Sequence, residues 1–462
     1  MSDLLLTYYG DDFTGSTDAL ECLSRAGVRT VLFTRPPTPE MLASHRNLQA
    51  IGVAGNTRSL SPDGLEKELV QAFTVFQELQ PRHVHYKVCS TFDSSPQIGS
   101  IGCAIDVGRL VLGSTFVTVV VGAPSLGRYC TFGNLFATAG VDFGKEVFRL
   151  DRHPSASCHP KTPMAESDLA IHLSKQTKVS IALFDLLKFD LTPEQQRNEL
   201  NRLVAGGAEV VLFDVVNNHH LKQIGALLDE SREPESIRFT VGSSGVEMAL
   251  CSQWDSMGTL SPRDDWENPG QVSQVLIVSG SCSPVTKAQI EWAAKNGFAE
   301  VAIDTPSVLI DEGSMQSMQR STKDVIDLLK SGKSVVAHTS KGTSDPRIAA
   351  TNEVLSKWGS NGHSGASDCS RILGKAMGRL VRQALDETSV RRLCVAGGDT
   401  SSFLAQEIGI ETIEMLCPLS PGAPLCTAHA PSSSADCVEI NFKGGQVGKE
   451  EYFGSLLKGT NQ

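Results

Sequence analysis

Two adjacent carboxylates, Asp11 and Asp12, come at the point where a short apolar run ends and a helical pattern begins. Residues 4–9 are of strand type, and residues 14–17 form a small polar turn. This order predicts a strand, an acidic turn and a helix. In an open parallel sheet, ligands bind beyond the carboxyl ends of the strands, next to helix N-termini. Carboxylates there suit hydroxyl groups, ammonium groups or a magnesium ion. The alternative is that one aspartate caps the helix and the other is solvated.

Three basic residues, Arg58, Lys87 and Arg128, come at or just beyond the ends of later predicted strands. Because the carboxyl ends of parallel strands meet at one edge of a sheet, we expect these residues to face the two aspartates. Arginine pairs with a carboxylate through a bidentate fork, and lysine does so as a point charge. One such residue alone is more typical of a surface charge. Three at one rim predict a site for a small anionic substrate.

A segment rich in histidine and proline, residues 152–168, has no helical or strand periodicity. Connecting loops of this length are often functional. His153 and His159 do not match the spacing of a zinc site, so we predict no protein-bound metal cluster there. We expect His159 and Lys161 to reach into a substrate pocket.

Small residues follow two predicted strands in the second half of the chain, at residues 280–286 and 397–401. Such turns before a helix let backbone N–H groups approach a phosphate, so two of them in one domain indicate a nucleotide. Asp399 in the second turn could hold magnesium, directly or through water. A third glycine-rich turn, residues 443–448, follows another strand and could close over the base or the phosphates.

Strands and helices alternate along both halves of the sequence. This pattern predicts an α/β fold with two domains, each a mostly parallel sheet with helices on both faces, and an active-site cleft between them. A polar segment with two prolines and two glycines divides the halves. We therefore predict an N-terminal domain at residues 1–255, a linker at 256–271 and a C-terminal domain at 272–462.

Composition narrows the class of protein. The 462 residues carry a net charge of −11, which argues against nucleic acid or an anionic membrane as the main partner. No apolar run is long enough to span a membrane and no signal peptide is visible, so we expect a cytoplasmic protein. The twelve cysteines contain no CxxC pair and have the distribution of reduced, mostly buried thiols.

The motifs GDDFTGSTDA, YKVCSTFDSS, HPKTPMAESDL, SGSCSPVT, AGGDTSS and KGGQVG, in this order, resemble the four-carbon acid sugar kinase family over essentially the whole chain. The resemblance implies ATP- and magnesium-dependent phosphorylation of a short sugar acid, with the acid in the N-terminal domain and ATP in the C-terminal domain. It carries Asp11 and Asp12 over as substrate residues. Because phosphoryl transfer needs a base near the acceptor hydroxyl, Asp12 or Asp11 would be that base, and we expect Asp12 in the substrate domain, away from the glycine turns. The other substrate residues would be Arg58, Lys87, Ser90, Asp93 and His159. The nucleotide residues would be Ser281, Gly397, Gly398, Asp399, Thr400, Gly444 and Gly445.

The family contains kinases for threonate, erythronate, 3-oxo-tetronates and 3-oxo-isoapionate. Gly10 stands before the aspartate pair where many members have alanine, and this glycine could make room for a branched or oxidised acid. A four-carbon acid is the leading expectation, and 3-oxo-isoapionate is the alternative. A non-catalytic sensor of sugar acid or nucleotide is a second class, and a dehydrogenase ranks last because no GxGxxG opens either half. The oligomeric state stays open, with a homodimer among the alternatives.

Overall fold

Strands and helices alternate along the chain in the computed structural model, which describes residues 4–139, 146–158, 162–230, 236–358 and 366–460. The predicted α/β fold class is confirmed. Up to residue 263 the elements are β1 (Leu6–Gly10), α1 (Phe13–Arg25), β2 (Thr30–Phe33), α2 (Pro39–Ala43), β3 (Ala50–Ala54), α3 (Pro62–Leu79), β4 (His83–Lys87), α4 (Ile101–Leu112), β5 (Val117–Val120), β6 (Arg128–Thr131), β7 (Asn134–Thr138), β8 (Val147–Arg149), α5 (Leu169–Ser174), β9 (Ile181–Phe184), α6 (Pro193–Ala205), β10 (Val210–Phe213), α7 (Asn218–Glu230), β11 (Arg238–Gly242) and α8 (Gly245–Ser256).

After residue 263 the same alternation resumes. The elements are β12 (Leu276–Ser279), α9 (Pro284–Lys295), β13 (Ala299–Ala302), α10 (Thr305–Ile310), α11 (Met315–Lys330), β14 (Val335–His338), α12 (Pro346–Trp358), α13 (Ala366–Glu387), β15 (Arg392–Ala396), α14 (Gly398–Glu407), β16 (Thr412–Ser420), β17 (Ala423–His429), β18 (Glu439–Lys443) and α15 (Tyr452–Lys458). Among the helices of the described residues, none has both the length and the apolarity that a membrane span requires.

The contacts divide the chain into two compact units. The first contains the N-terminal segment up to Asp11, Cys22–Thr30 and Pro36–Arg263, and the second contains Asp12–Glu21, Val31–Arg35 and the chain from Asp264 onward. The boundaries drawn from the sequence stay a prediction. The contacts add that two short segments from the first 35 residues belong with the second unit.

The sheet of the first unit has the strand order β3-β1-β4-β11-β5-β10-β9, and every pair in it is parallel. Gly10, Lys87 and Gly242 are register partners, so three strands end at the same level. Consecutive residues of a strand face opposite sides of a sheet. Phe239 of β11 faces Gly108 of α4, whereas His85, on the same side as Thr240, lies 3.5 Å from the carboxylate of Glu247 on α8. Both faces of this sheet are therefore covered, as a parallel sheet requires.

A smaller antiparallel sheet of β6, β7 and β8 also belongs to the first unit. Isolated bridges join Cys130 to Val215 and Asn134 to Asp168. Asp214 fixes the β6–β7 hairpin, because its carboxylate accepts hydrogen bonds from the backbone N–H groups of Phe132 and Gly133, at 2.6 and 2.9 Å. This small sheet was not predicted, and it positions Arg128.

The sheet of the second unit has the order β13-β14-β12-β15-β18-β17-β16-β2. The first five strands are parallel, and the rest pair antiparallel. One face is covered by α9 and α15, which pack Ile290, Tyr452 and Phe453 against the alternating strand residues Val275 and Ile277. Because β12, β15 and β18 are parallel neighbours or share a neighbour, the turns that follow them lie at one edge.

Candidate active site

The strand ends of the first unit bring Asp11 and Arg58 together. Asp11 follows β1 and donates its N–H to the carbonyl oxygen of Lys87, at 2.9 Å. Arg58 lies in a short 3₁₀ turn after β3, and its N–H donates to the carbonyl oxygen of Asp11, at 3.0 Å. Its guanidinium also donates to both carboxylate oxygens of Asp11, at 2.6 and 3.0 Å. Asp11 thus orients the guanidinium through the bidentate fork that the sequence led us to expect between Arg58 and the aspartate pair.

Asp93, in the loop after β4, acts electrostatically on Arg128, the first residue of β6. Burial lowers the pKa of Arg128. Cys89 and Asp93 interact electrostatically with Arg128 and oppose this shift. Burial and Asp93 raise the pKa of the Cys89 thiol to about 11, while Arg58 opposes that shift. Cys89 therefore lies close enough to Arg58 and Arg128 to interact electrostatically with both. Ser90 is half-buried in the same loop, and Asp93 is buried.

Arg128 is held by carbonyl groups rather than by a carboxylate fork. Its Nη1 donates to the carbonyl oxygens of Leu126, Gly127 and Thr138, at 2.9, 3.2 and 3.4 Å. These acceptors are neutral, so the charge that acts on the guanidinium comes from Asp93. The predicted basic rim of the first unit thus contains one arginine oriented by Asp11 and a second oriented by backbone carbonyls.

Lys87 ends β4, as predicted, but its amine does not project from the rim. The side chain is 2 % exposed, and Nζ donates to the carbonyl oxygen of Val88, at 3.3 Å. His85, two residues earlier, lies 3.5 Å from the carboxylate of Glu247 on α8. Burial and the charge of Lys87 hold the pKa of His85 well below its usual range. The Lys87 amine therefore belongs to a buried group of polar side chains that includes His85 and Glu247.

His159 and Lys161 lie outside the described residues, so their predicted place in the substrate pocket stays a prediction. His153 has a structural role: its Nδ1 accepts from the backbone N–H groups of Ser155 and Ala156, both at 3.2 Å. Burial lowers the pKa of His153. Within the described ranges, no group of three or more His, Cys, Asp or Glu side chains could hold a metal ion.

In the second unit, three glycine-containing turns converge. Gly280 donates its N–H to the carbonyl oxygen of Ala396, at 2.9 Å, and Gly397 donates to that of Lys443, at 3.0 Å. Gly397 has φ +128°, a conformation that residues with a side chain rarely adopt. A Cβ atom on Gly445 would lie 2.5 Å from Oγ of Ser281. The structure thus brings the predicted residues Ser281, Gly397 and Gly445 together.

The converging turns present groups that bind anions. Ser283 caps α9 by accepting from the N–H of Val285, at 3.1 Å, and α14 begins at Gly398. Helix N-termini attract phosphate. The Thr400 hydroxyl oxygen is buried and, within the described residues, has no hydrogen-bond partner. It points at Gly280, where a Cβ atom would approach it to 2.5 Å. A buried hydroxyl without a partner is costly unless a ligand satisfies it.

Asp12 lies at the glycine turns, which corrects the expectation that it is distant from them. Its carboxylate accepts from the Thr14 hydroxyl, at 2.8 Å, and from the N–H of Gly15, at 2.7 Å. It therefore caps α1, as the alternative interpretation of the aspartate pair had it. A Cβ atom on Gly398 would lie 3.1 Å from its Oδ2. The backbone of Asp399 lies in the first turn of α14, but its side chain is outside what the structure describes.

Sequence reasoning missed two residues that hold the third turn in place. Gln289 of α9 donates through Nε2 to the carbonyl oxygens of Val447, Gly448 and Lys449, at 2.9, 3.2 and 3.0 Å. Thr286, one helical turn earlier, donates to the carbonyl oxygen of Gly445, at 2.9 Å. The spacing of the two polar residues on one helix face was the available signal.

Comparisons with known proteins also distinguish two domains in this chain. A family model described as a sugar-binding N-terminal domain matches residues 6–250, and one described as a nucleotide-binding C-terminal domain matches residues 276–453. Curated relatives with the names 3-oxo-isoapionate kinase and 3-oxo-tetronate kinase, which match over nearly the whole chain, show the class: an ATP-dependent sugar-acid kinase. Within that class, the chain belongs to the four-carbon acid sugar kinase family.

The relatives cover nearly the whole chain. A 3-oxo-isoapionate kinase from Paraburkholderia graminis is 41% identical over 457 residues, covering 99% of this chain and 94% of the relative. A 3-oxo-tetronate kinase from Pectobacterium atrosepticum is 27% identical, covering 97% of each chain. A solved structure from Haemophilus influenzae has a TM-score of 0.68 at 21% identity, covering 97% of this chain and 98% of that one, and supports the fold.

Replacing Arg58 by alanine should raise KM for the acid by about 10–100-fold, because hydrogen bonds to a charged group contribute ~1.5–3 kcal/mol. KM for ATP should change little. Steady-state kinetics with each substrate varied in turn will measure both constants. Arg197→Ala, which removes an exposed arginine paired with Glu230, is the control. An unchanged KM for the acid would remove Arg58 from the site.

Alanine at Gly445 should weaken ATP binding by about tenfold or more, equivalent to ~1.4 kcal/mol, because its methyl group would displace the Ser281 hydroxyl. Alanine at Gly64, on α3 of the first unit, is the control, since its Cβ would have only ordinary contacts, the nearest at 3.6 Å. Calorimetric titration with ATP and thermal melts of both variants test this. Wild-type affinity in a folded Gly445→Ala protein would place the phosphates elsewhere.

Proposed function

We propose that this kinase phosphorylates a hydroxyl group of a short 3-oxo sugar acid, with 3-oxo-isoapionate preferred over the 3-oxo-tetronates. The observation that carries this proposal is the 41% identity to a 3-oxo-isoapionate kinase, against 24–27% for the 3-oxo-tetronate kinases. A change of preference within one family requires only small changes in the acid pocket. The order of the two alternatives from the sequence is thereby reversed.

The first unit binds the acid. Arg58 is oriented by Asp11 and supplies N–H donors to the substrate carboxylate, while Arg128 adds a second positive charge held by carbonyl groups. Ser90 and Asp93, in the loop beside them, are suited to sugar hydroxyl groups. Lys87 contributes its charge from below the surface. Since the Asp11 carboxylate is paired with the charged guanidinium of Arg58, whereas Asp12 accepts from a hydroxyl group and a backbone N–H, we assign Asp11 to positioning and the catalytic base to Asp12.

The second unit binds ATP. The backbone of Gly397, Gly398 and Gly444 allows close approach of phosphate oxygens, and the N-termini of α9 and α14 together with the Thr400 hydroxyl supply donors. Magnesium fits this arrangement, because it usually keeps phosphate oxygens and waters as ligands and needs only one or two carboxylates. Asp12 would hold it directly or through water, and Asp399 stays a sequence-based expectation. The ion would neutralise charge on the phosphates.

Phosphoryl transfer then requires a group that receives the proton of the acceptor hydroxyl. As the oxygen–phosphorus bond forms and ADP leaves, that proton passes to a carboxylate oxygen of Asp12. Thr14 and Gly15 fix the orientation of this carboxylate by donating to it. Both assignments for Asp12, as base and as magnesium ligand, depend on its proximity to Gly398.

Replacing Asp12 by asparagine should lower kcat by about 10²–10⁴-fold, the usual effect of losing a general base. The fold should survive, because asparagine also caps helices. Turnover at increasing magnesium concentration separates the two roles: recovery indicates a metal ligand, and no recovery indicates the base. Asp18→Asn, on the same helix and facing Gly422, is the control. Wild-type turnover at ordinary magnesium would exclude Asp12 from both roles.

The substrate proposal is tested by coupled ADP release across 3-oxo-isoapionate, 3-oxo-tetronates, threonate and erythronate. We expect kcat/KM to be highest for 3-oxo-isoapionate, by about tenfold or more, since one differing substituent typically changes transition-state binding by ~1–3 kcal/mol. A reaction without acid gives the background rate of ATP hydrolysis. A higher kcat/KM for a four-carbon acid would restore the order first drawn from the sequence.

A further inference from the structure

Lys443 is a buried lysine directly before the third glycine turn. It ends β18, and its side chain is 0 % exposed. Its Nζ donates to the hydroxyl oxygen of Thr286, at 3.3 Å, and lies 5.6 Å from the ring centroid of Tyr452. A buried ammonium group is expensive unless an anion accompanies it.

No such anion accompanies Lys443 in the part of the chain that the structure describes. The titratable groups facing it are Cys394 on β15 and Tyr452 on α15, and burial keeps both neutral: it raises the pKa of Cys394 to about 12 and that of Tyr452 well above its usual value. From α9 it meets only the Thr286 hydroxyl. The carboxylate acting on Tyr452 and on Cys426 of β17 is Glu21, which accepts a hydrogen bond from the N–H of Gly422.

The buried amine lies under the turns assigned to the phosphates. The carbonyl oxygen of Lys443 accepts from the N–H of Gly397. Thr286, which accepts from the amine, donates to the carbonyl oxygen of Gly445. One hydroxyl group thus separates the ammonium from the backbone of a glycine turn. In a buried, poorly screened setting, such a charge acts strongly on an anion bound above it.

We propose that Lys443 is a positioning residue whose buried charge is compensated by the triphosphate of the bound nucleotide. The inference rests on the proposed nucleotide site. The amine does not touch the nucleotide; it fixes the Gly444–Gly445 turn through Thr286 and makes the site attractive to an anion. Nucleotide binding and protonation of Lys443 are consequently linked, because the bound anion favours the charged amine.

The direction of this linkage follows from burial, which lowers the pKa of Lys443 from its usual 10.5 to about 8. Below that pH the amine is charged before the nucleotide arrives, so affinity should not depend on this group. Above it, binding should take up as much as one proton, and Kd for ATP should rise by up to about tenfold per pH unit. The nucleotide itself adds nothing there, since phosphate groups lose their second proton near about pH 6.

Calorimetric titration of the full-length protein with magnesium ATP at pH 8.5, in two buffers of different ionisation enthalpy, measures the proton uptake. We expect uptake in the wild type and none in Lys443→Met, whose Kd at pH 7 should be at least about tenfold weaker. Its melting temperature should stay equal or rise, because an apolar chain of similar length replaces a buried charge. A loss caused only by misfolding would lower it.

Lys287→Met is the matched control. Lys287 lies on α9, next to Thr286, and is half-exposed beside Glu291, so its removal takes away one nearby positive charge but leaves the buried one. This variant should keep the proton uptake. Wild-type affinity and uptake in Lys443→Met would overturn the proposal, as would a wild-type Kd that is constant from pH 7 to 9.5 even if the variant fails to fold. A wild-type protein that binds no ATP would instead refute the nucleotide site itself.

Discussion

Two backbone hydrogen bonds, from Gly280 to Ala396 and from Gly397 to Lys443, connect the ends of three parallel strands in the second unit. The strand ladders stop at these residues, so without the two bonds the following turns would be free to diverge. With them, the N-termini of two helices and a third turn meet at one place. The proposed nucleotide site depends on that convergence. Glycine is required at Gly280 and Gly445, because a Cβ atom there would lie 2.5 Å from the hydroxyl oxygens of Thr400 and Ser281, respectively.

Arg58 of the first unit and Lys443 of the second are held in different ways. In the first, the Arg58 guanidinium is oriented by the Asp11 carboxylate, so its direction is set before a substrate arrives. In the second, the Lys443 amine is buried with a hydroxyl group as its acceptor. A pre-oriented fork distinguishes a planar carboxylate from other anions, whereas a buried point charge attracts any polyphosphate. The difference is consistent with the roles proposed above, Arg58 at the carboxylate of the acid and Lys443 beneath the triphosphate.

The strand–turn–helix order around Asp11, and the position of Lys87 at a strand end, could be predicted because apolar runs followed by small polar residues are local patterns. The directions in which the side chains point could not be predicted. The Lys87 amine turns into the buried layer, and Asp12 approaches Gly398, a residue remote in sequence. The hydrogen bonds from Gln289 to the carbonyl oxygens of residues 447–449 likewise depend on how α9 packs. Such contacts are determined by tertiary structure, so no local sequence pattern predicts them.

The inclusion of Asp12–Glu21 and Val31–Arg35 in the second unit has a consequence for synthesis on the ribosome. These segments leave the exit tunnel long before their partners are made: Ile410, which bonds with Thr34, lies 376 positions later. The second unit therefore cannot finish folding until the chain has emerged beyond β16. A fragment beginning at Asp264 would also leave β16 without β2 as a neighbour, and an uncovered strand edge invites aggregation.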